Sequence, residues 1–321
     1  MRESRVLVTG GTGFLGRAVC KALRVRGAVV TAIGSADVNL ADERLALSYL
    51  DARASHYDCV VHCAAACGGI GANMQAPFRM VAQNLRMAVN IVEWCRWRML
   101  PLVAIGSVCA YPKHTPVPFR ESDLWSGYPE ETNAPYGNAK RMLLELMQAA
   151  NRERPWPMTY LLPANLYGPG DNFGDGSHVI PAMIRRFMEA RDSGVDEVAC
   201  WGTGTATREF LFVDDAAEAI AMAVERIGQL LVMNLGCGEE ITMAVLADEI
   251  ARVVGYTGRI AWDNSKPDGQ PRRALDGTAA RERLGWEPQV CLVDGLRRTV
   301  EWWNANTDSG VRPATASRAT A

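Results

Sequence analysis

The chain has 321 residues, of which 48% are hydrophobic and 22% are charged, and its formal net charge is −2. This length is enough for one large domain with a smaller second lobe. A net charge so close to zero excludes the basic field by which many proteins bind nucleic acid or anionic membranes. No apolar run approaches the roughly 18 to 20 residues of a membrane span, and the N-terminus lacks a signal-peptide pattern, so we expect a cytoplasmic protein.

The nine cysteines are an odd number and form no CxxC pair. Cys59, Cys63 and Cys67 lie near His62 in the sequence, but their C-x3-C-x3-C spacing lacks the CxxC knuckles of structural zinc sites. We therefore expect reduced thiols and no metal site.

Short apolar runs alternate with amphipathic stretches through the first 165 residues. The runs predict strands, and the stretches predict helices because their apolar residues recur three and four positions apart. The predicted strands are 5–9, 28–33, 59–63, 102–105 and 158–162, and the predicted helices are 14–26, 77–98 and 136–152. This order predicts an α/β fold with a doubly wound parallel sheet of the Rossmann type.

The pattern changes after residue 165 to loops rich in Gly, Pro and Asn, with predicted helices at 179–190, 214–226 and 242–254. We expect residues 166–305 to form mainly a smaller, substrate-binding lobe, with some segments returning to the sheet of residues 1–165. Residues 306–321 are small, polar and without periodicity, which predicts a flexible tail.

A glycine turn follows the first predicted strand, with Gly10, Gly13 and Gly16 spaced as G-x-x-G-x-x-G before a predicted helix. Glycine lets the backbone approach a pyrophosphate, which then meets the free N–H groups and the positive dipole end of the helix. Residues 1–165 are therefore predicted to bind NAD(P).

The end of the second strand distinguishes NAD from NADP in this fold, because a carboxylate there binds the ribose 2′-OH and repels a 2′-phosphate. The residues at this place are Ile33, Gly34 and Ser35. The lack of a carboxylate among them favours NADP(H), with Ser35 and Arg17 as candidate phosphate contacts, and leaves NAD(H) as the alternative.

Three further residues predict a reductase site. Tyr136 and Lys140 are four residues apart and so lie on one face of a predicted helix. A lysine ammonium stabilises a neighbouring phenolate, so we expect Lys140 to lower the pKa of Tyr136 toward neutrality. Ser107 follows the predicted strand 102–105, at the sheet edge where ligands bind, and its hydroxyl can polarise a carbonyl group.

Seven segments resemble, in the same order, the extended short-chain dehydrogenase/reductase family and, within it, the GDP-L-fucose synthases. They are CGGIGAN at 67–73, GSVCAYPK at 106–113, ETNAPYGNAK at 131–140, PANLYGPGDNF at 163–173, SHVIPAMIRRF at 177–187, WGTGTATREFLFVDD at 201–215 and KPDGQPRRALD at 266–276. The resemblance extends from about residue 5 to residue 304. It implies a substrate that is a GDP-linked 4-keto-6-deoxy-hexose, which is epimerised at C3 and C5 and then reduced at C4 by NADPH.

The resemblance also implies a role for each catalytic residue. Cys109 and His178 match the pair that removes and returns protons during epimerisation. In the reduction, Tyr136 supplies a proton and Ser107 holds the developing oxyanion, while Lys140 tunes Tyr136 and holds the nicotinamide ribose.

Cofactor and substrate contacts follow from the same motif matches. For the cofactor they are Gly10, Gly13, Phe14, Leu15, Gly16, Asn39, Leu40, Ile105, Tyr136, Lys140, Pro163, Asn165, Leu166 and His178, joined by Ser35 at the second strand. For the nucleotide-sugar they are Arg186, Trp201, Arg208 and Asp268. The forked guanidinium group of an arginine suits a diphosphate. The alternative for Arg186 and Arg208 is a solvated charge on the surface.

Departures from the family pattern leave alternatives open. Thr12 and residues 33–35 stand where bacterial members carry arginines around the 2′-phosphate, and Val108 replaces a small polar residue. An enzyme that only epimerises or only reduces, or that acts on a GDP-linked heptose, is one alternative. A non-catalytic dinucleotide sensor is another, against which the intact Ser, Tyr and Lys set argues. We also expect a homodimer formed through helices near 84–98 and 136–153.

Overall fold

The strands form one large and two small sheets in the computed structural model, which describes residues 3–307 of the chain. They are β1 (Arg5–Thr9), β2 (Val29–Ile33), β3 (Cys59–His62), β4 (Leu102–Ile105), β5 (Met158–Pro163), β6 (Asn165–Tyr167), β7 (Glu197–Trp201), β8 (Thr207–Phe212), β9 (Leu231–Leu235), β10 (Glu240–Thr242) and β11 (Arg259–Asp263).

The helices are α1 (Phe14–Val25), α2 (Glu43–Asp51), α3 (Ile70–Gln75), α4 (Pro77–Arg98), α5 (Ala134–Glu153), α6 (Val179–Asp192), α7 (Val213–Glu225), α8 (Met243–Val254), α9 (Thr278–Leu284) and α10 (Leu292–Thr307). Short 3-10 helices lie at Ala54–His56, Val108–Ala110 and Glu121–Trp125.

The large sheet has the strand order β2-β1-β3-β4-β5-β9, and every neighbouring pair in it is parallel. The predicted Rossmann-type parallel sheet is therefore confirmed. β3 and β4 are buried along their whole length, which explains why their sequences are continuous apolar runs. The strand order reverses between β1 and β3, so a ligand crevice is expected beyond the carboxyl ends of these two strands.

Two helix pairs pack along this sheet, α1 with α7 and α4 with α5. Their apolar faces join the main core, as with Leu23 in α1, Ile91 in α4 and Leu144 in α5, each of which is nearly inaccessible to solvent. The strands and helices predicted for the first 165 residues are present, with ends within two residues of the predicted ones.

The two small sheets belong to the second half of the chain. One contains β10, β8 and β6, and the other pairs β11 with β7. Side chains of β8, α6 and α8, such as Phe212, Phe187 and Ile250, form a second apolar cluster. The predicted helices 179–190, 214–226 and 242–254 are α6, α7 and α8, and β9 returns to the large sheet beside β5.

The predicted tail does not begin at residue 306, because α10 runs to Thr307. The side-chain amide of Asn306 donates a 2.7 Å hydrogen bond to the carbonyl oxygen of Trp302 one helical turn earlier. The rest of the predicted tail, 308–321, lies outside the described residues. Over residues 3–307, no helix combines the length and the apolar character needed to cross a membrane.

Candidate active site

The glycine turn between β1 and α1 forms a cradle for a pyrophosphate. Gly10 has a φ of +66°, and a Cβ at Gly16 would lie 2.0 Å from its carbonyl oxygen, so no larger residue fits at position 16. Gly13 precedes α1, and within the described chain no side chain caps the first turn, which contains Phe14 and Leu15. The free N–H groups and the positive end of the helix dipole therefore fit the pyrophosphate of a dinucleotide.

The end of β2 carries an acidic group that the sequence analysis missed. Ser35 is exposed there, as a contact with a ribose phosphate requires. Two residues later, the carboxylate of Asp37 accepts a 2.8 Å hydrogen bond from the backbone N–H of Gly34. The chain turns back after residue 35 and brings this carboxylate to the end of β2, although no carboxylate is present among residues 33–35.

Arg17 has a different environment from the predicted one. Its guanidinium donates hydrogen bonds of 2.7 and 2.6 Å to the carbonyl oxygens of Thr12 and Gly170. These bonds close the glycine turn against the loop after β6. The guanidinium is thus engaged by the backbone rather than held free for a 2′-phosphate.

Other predicted cofactor contacts lie around the same crevice. Asn39 is exposed, while the Leu40 side chain is only 6% exposed and packs in the core, and the Leu40 carbonyl oxygen accepts a 2.9 Å hydrogen bond from the Asn90 side-chain amide. Pro163 is buried at the end of β5, and Leu166 is partly buried in β6. The side-chain amide of Asn165 donates a 2.9 Å hydrogen bond to the carbonyl oxygen of Glu209 on β8.

Helix α5 brings Tyr136 and Lys140 to the carboxyl end of β4. The Lys140 ammonium is buried and donates a 2.8 Å hydrogen bond to the carbonyl oxygen of Ile105. It also lies 5.8 Å from the centroid of the Tyr136 ring. The Ser107 hydroxyl hydrogen-bonds Tyr136 and accepts a 3.2 Å bond from the backbone N–H of Cys109. The predicted Ser, Tyr and Lys set is thus brought together in space.

Burial controls the protonation of this set. It raises the pKa of Tyr136 well above the usual value, and the hydrogen bond with Ser107 offsets this only in part. Burial also lowers the pKa of Lys140 to about 8. The prediction that Lys140 lowers the pKa of Tyr136 is therefore wrong, because the loss of hydration at the phenol dominates. Near neutral pH, Tyr136 is a phenol and Lys140 an ammonium, which suits the donation of a proton.

Cys109 lies in the 3-10 helix directly after Ser107. A Cβ at residue 137 would lie 2.2 Å from the carbonyl oxygen of Cys109. Because residue 137 is a glycine, α5 can approach this segment more closely than it could with any side chain at this position. On another side, Nη1 of Arg273 donates to the Cys109 sulfur at 3.5 Å. The thiol is partly exposed and sits next to the reductase set.

His178 precedes α6 and is exposed, while the protein around it lowers the pKa of its imidazole by desolvation. The segment before it is held by a 3.0 Å hydrogen bond from the backbone N–H of Gly69 to the carbonyl oxygen of Gly176. In the same loop as Gly69, the Cys67 thiol interacts electrostatically with Tyr136. One loop therefore borders both the phenol and the segment that carries His178.

Trp201 and Arg186 lie in a more open part of the molecule. Trp201 ends β7 and is 51% exposed, with the Lys266 ammonium 5.7 Å from its ring centroid. The Arg186 guanidinium is partly exposed and donates a 2.6 Å hydrogen bond to the carbonyl oxygen of Ala199. A flat ring beside one cation, with a second cation bonded to the same strand, can receive a base and its phosphates.

Arg208 and Asp268 are bound into the protein. The Arg208 guanidinium is buried, which lowers its pKa to about 9, and donates to the carbonyl oxygens of Thr207, Gln270 and Asp268. The Asp268 carboxylate accepts bonds of 2.8 and 2.9 Å from the backbone N–H and the hydroxyl of Thr203. The surface-charge alternative for Arg208 is therefore wrong, and any diphosphate would share this guanidinium with three carbonyl groups.

Two further buried charged residues were not predicted. Arg273 contacts Cys109, as described above, and Asp171 interacts with the Cys67 thiol and has a pKa that burial raises to about 7. Both belong to segments that carry the family resemblance, which was the one signal for them. The sequence does not indicate that Arg273 turns inward while its neighbour Arg272 pairs with Glu240 at the surface.

Within residues 3–307, no group of three or more His, Cys, Asp or Glu side chains is arranged to hold a metal ion. His62 lies at the end of β3, where its Nδ1 is 2.7 Å from the Thr9 hydroxyl. Burial lowers its pKa to about 3, so this imidazole is neutral and joins two strands of the large sheet.

Comparison with known proteins agrees with this geometry. Residues 6–236 match the NAD dependent epimerase/dehydratase family, and this region includes the glycine turn and the Ser, Tyr and Lys set. The chain belongs to the NAD dependent epimerase/dehydratase family. The matched region begins at the second residue of β1 and ends one residue after β9, so it covers the large sheet except for Arg5.

The relatives within the NAD dependent epimerase/dehydratase family include GDP-L-fucose synthases. The chain is 38% identical to the probable GDP-L-fucose synthase 1 of Oryza sativa subsp. japonica, covering 96% of this chain and 94% of that protein. It is also 38% identical to the GDP-L-fucose synthase of Escherichia coli (strain K12), covering 96% and 99%. The resemblance to the GDP-L-fucose synthases is therefore confirmed.

Solved structures of this fold include a GDP-L-fucose synthetase from Naegleria fowleri, with a TM-score of 0.83, 25% identity and 97% of each chain covered. A GDP-6-OMe-4-keto-L-xylo-heptose reductase from C. jejuni superposes with a TM-score of 0.88 over 95% of this chain and 98% of that one. At 23% identity, the likeness to the heptose reductase establishes the fold alone.

Proposed function

We propose that this chain is an NADPH-dependent enzyme that epimerises a GDP-4-keto-6-deoxy-hexose at C3 and C5 and reduces it at C4. The observation that carries the proposal is the position of Cys109, two residues after Ser107 and beside α5, where Tyr136 and Lys140 complete a reductase set. A thiol at this point can act on the carbons next to the carbonyl group that the set reduces. The 38% identity to GDP-L-fucose synthases supports the same activity.

Epimerisation uses two groups on opposite faces of the sugar. The carbonyl at C4 acidifies the hydrogens on C3 and C5, so one group removes a proton to give an enolate and the other returns a proton from the far side. Cys109 and His178 are the two groups in our proposal. His178 returns the proton as an imidazolium, which it forms by taking a proton from water in the cleft, and the lowered pKa of this imidazole makes the imidazolium a stronger acid toward the enolate.

Reduction then acts on the same carbonyl group. Bound NADPH supplies a hydride to C4. Tyr136 gives its proton to the carbonyl oxygen, and the Ser107 hydroxyl donates a hydrogen bond to that oxygen as negative charge develops. The raised pKa of Tyr136 keeps its proton in place until the oxygen becomes basic enough to take it. The hydrogen bond from Lys140 to the carbonyl oxygen of Ile105 fixes the position of the ammonium. The ammonium supplies positive charge to the site.

The chain's own residues also fit the GDP moiety in this proposal. Trp201 offers a half-exposed ring for the guanine, Lys266 supplies a cation beside the ring, and Arg186 supplies a second cation bonded to the same strand. Arg208 and Asp268 shape the wall of this region through their bonds to the backbone and to Thr203. Arg208 and Asp268 therefore contribute to GDP binding mainly by supporting this region of the protein.

The experiment that tests the proposal separates the two half-reactions. The purified protein is incubated in D₂O with GDP-4-keto-6-deoxy-D-mannose, first without a reduced nicotinamide and then with NADPH. We expect deuterium to enter at C3 and C5 in the first incubation, as followed by NMR, and NADPH to be consumed only in the second. Consumption of NADPH with no deuterium at C3 or C5 would support the reductase-only alternative.

The alternatives from the sequence predict other outcomes of that experiment. An epimerase-only enzyme incorporates deuterium but consumes no NADPH, and an enzyme for a related GDP-linked heptose turns over that sugar in preference to the 6-deoxy-hexose. A dinucleotide sensor binds NADPH without turning over any sugar. The presence of both Cys109 and the complete Ser, Tyr and Lys set favours the bifunctional enzyme over an epimerase-only enzyme and over a dinucleotide sensor.

We also propose a cytoplasmic homodimer. Exposed apolar side chains lie on the two helices of the predicted interface, with Val89 and Trp97 on α4 and Met142 on α5. Because α4 and α5 pack side by side within one subunit, the same pair from a second subunit would complete a four-helix bundle. Sedimentation at micromolar concentration is expected to give twice the mass of the chain, and a monomer alone would contradict the interface.

A further inference from the structure

We infer that Arg273 is a positioning residue that stabilises Cys109 as a thiolate, the form in which this sulfur removes protons from the sugar. This inference rests on the proposed function. Nη1 of Arg273 donates to the sulfur at 3.5 Å, within the range of an N–H···S hydrogen bond. Arg273 is only 5% exposed, so water screens its charge poorly at the sulfur.

A second residue fixes the direction of the guanidinium. Nε of Arg273 donates a 3.1 Å hydrogen bond to Oε1 of Gln270, which is itself 2% exposed. The Gln270 amide nitrogen donates to the carbonyl oxygens of Pro112 and Lys113, at 2.9 and 3.0 Å. These two bonds determine which end of the amide faces Arg273. The backbone shortly after Cys109 therefore orients the group that contacts its sulfur.

Among the ion pairs formed by residues 3–307, none includes Arg273. Arg208 adds a second buried positive charge, and its pKa is lowered first by burial and then by the charge of Arg273. Glu130 and Asp268 both act on Arg208, and Tyr136 faces Cys109 from α5 as a neutral phenol. The sulfur thus faces two buried cations, which favour its negative form.

The Cys109 thiolate and Arg273 have different roles in the proton transfer from the sugar. The thiolate forms an S–H bond as the C–H bond next to the carbonyl breaks, and the electron pair of that bond moves onto the carbonyl oxygen. Arg273 exchanges no proton with the sulfur or the sugar in this step. It lowers the energy of the anion before the transfer and takes no part in the transfer itself.

The test measures the sulfur directly and needs no sugar. Wild type, Arg273→Gln and Arg273→Lys are treated with iodoacetamide between about pH 6 and pH 9, and alkylation of Cys109 is followed by peptide mass spectrometry. We expect alkylation near pH 7 to be about tenfold slower in Arg273→Gln, corresponding to a shift of about one pH unit in the profile. Arg273→Lys keeps a cation and recovers part of the rate.

The neighbouring arginine provides a matched control. Arg272 is exposed and pairs with Glu240. Arg272→Gln therefore also removes one positive charge but does not change the contact between Arg273 and the Cys109 sulfur. Its alkylation profile is expected to match wild type. If folded Arg273→Gln, as judged by circular dichroism, also alkylates at the wild-type rate and pH, the inference is overturned. Should that variant not fold, a wild-type profile identical to that of a Cys109 peptide in solution overturns it instead.

The alkylation experiment separates this inference from the proposed function. A protein that fails to turn over GDP-4-keto-6-deoxy-D-mannose can still show the effect of Arg273 on Cys109, because iodoacetamide reports only the sulfur. Where the sugar is turned over, deuterium entry at C3 and C5 is expected to fall about tenfold in Arg273→Gln along with the alkylation rate. The KM for NADPH is expected to stay unchanged.

Discussion

The carbonyl oxygen of Cys109 lies so close to Gly137 that a Cβ at residue 137 would stand 2.2 Å from it. This contact sets the spacing between α5, which carries Tyr136 and Lys140, and the short helix that carries Cys109. Because the obstructing atom belongs to the backbone, no change of side-chain rotamer can relieve the overlap. The distance between the thiol and the reductase set therefore depends on a glycine at this position.

Gly137→Ala is expected to push α5 away from the Val108–Ala110 helix. We expect the free energy of unfolding to fall by about 1 to 3 kcal/mol, as for other overpacked sites, and both half-reactions to slow. Urea unfolding and the two activity assays measure these effects. Gly71→Ala is the matched control, since Gly71 is also helical but has no atom within 4 Å of an added Cβ. Equal stability of the two variants would contradict the close contact.

Tyr136→Phe removes the proton donor while keeping the ring. NADPH oxidation with GDP-4-keto-6-deoxy-D-mannose is expected to fall by about 10² to 10⁴-fold, the range of general acid catalysis. Deuterium entry at C3 and C5 should persist, because it uses other groups. Tyr128→Phe, at an exposed tyrosine, serves as the control and should retain full activity. A Tyr136→Phe variant with wild-type NADPH oxidation would remove this residue from the reduction.

Cys109→Ser and His178→Asn test the epimerisation. Each substitution removes one of the two proton-transfer groups, so deuterium entry at C3 and C5 is expected to fall by about 10² or more. NMR of the sugar after incubation in D₂O measures it directly. The Ser107, Tyr136 and Lys140 set remains in both variants, and slow reduction of the unepimerised sugar is expected. Full inversion at C3 and C5 in both variants would refute the assignment.

The pH dependence of the reduction should reflect Lys140. Its pKa of about 8 means that the ammonium is present below this pH and is lost as the pH rises through it. The reduction rate at saturating substrate is therefore expected to decline above about pH 8, while Tyr136, whose pKa is raised, stays protonated. Lys140→Arg keeps its charge, so its slower reduction should show no decline up to about pH 9.5. An identical decline in both proteins would point to another group.

Asp37 gives a test of cofactor preference. Its carboxylate lies at the end of β2, where it would repel a 2′-phosphate and attract a ribose hydroxyl. Asp37→Asn keeps an oxygen for the N–H of Gly34 but removes the charge. We expect the Kd for NADPH to fall about tenfold relative to that for NADH, equivalent to about 1.4 kcal/mol. Asp192→Asn, at an exposed residue of α6, controls for net charge, and equal ratios in both variants would exclude Asp37 from this role.

The sequence was sufficient for the parallel sheet because its strands, such as β3 and β4, are short and apolar throughout, and the helices between them have clear periodicity. Local spacing also indicated that Tyr136 and Lys140 share one face of α5. These features depend on residues close together in the chain. They are the part of the site that local rules determine.

The remaining features depend on contacts between distant segments. Arg273 meets Cys109 across 164 positions, and Arg208 is buried against carbonyl groups about 60 residues away. The raised pKa of Tyr136 likewise comes from burial by the folded protein, which a spacing of four residues does not reveal. Asp37 was missed for a different reason, since a tight turn returns it to the end of β2.

The central claim is that one cleft performs both epimerisation and reduction, and one measurement tests it most directly. The protein is incubated with GDP-4-keto-6-deoxy-D-mannose and NADPH in D₂O, and the product sugar is identified by NMR. We predict GDP-L-fucose that carries deuterium at C3 and C5, formed with one NADPH consumed per sugar. A reduced sugar that keeps the original configuration and hydrogens at C3 and C5 would contradict the account.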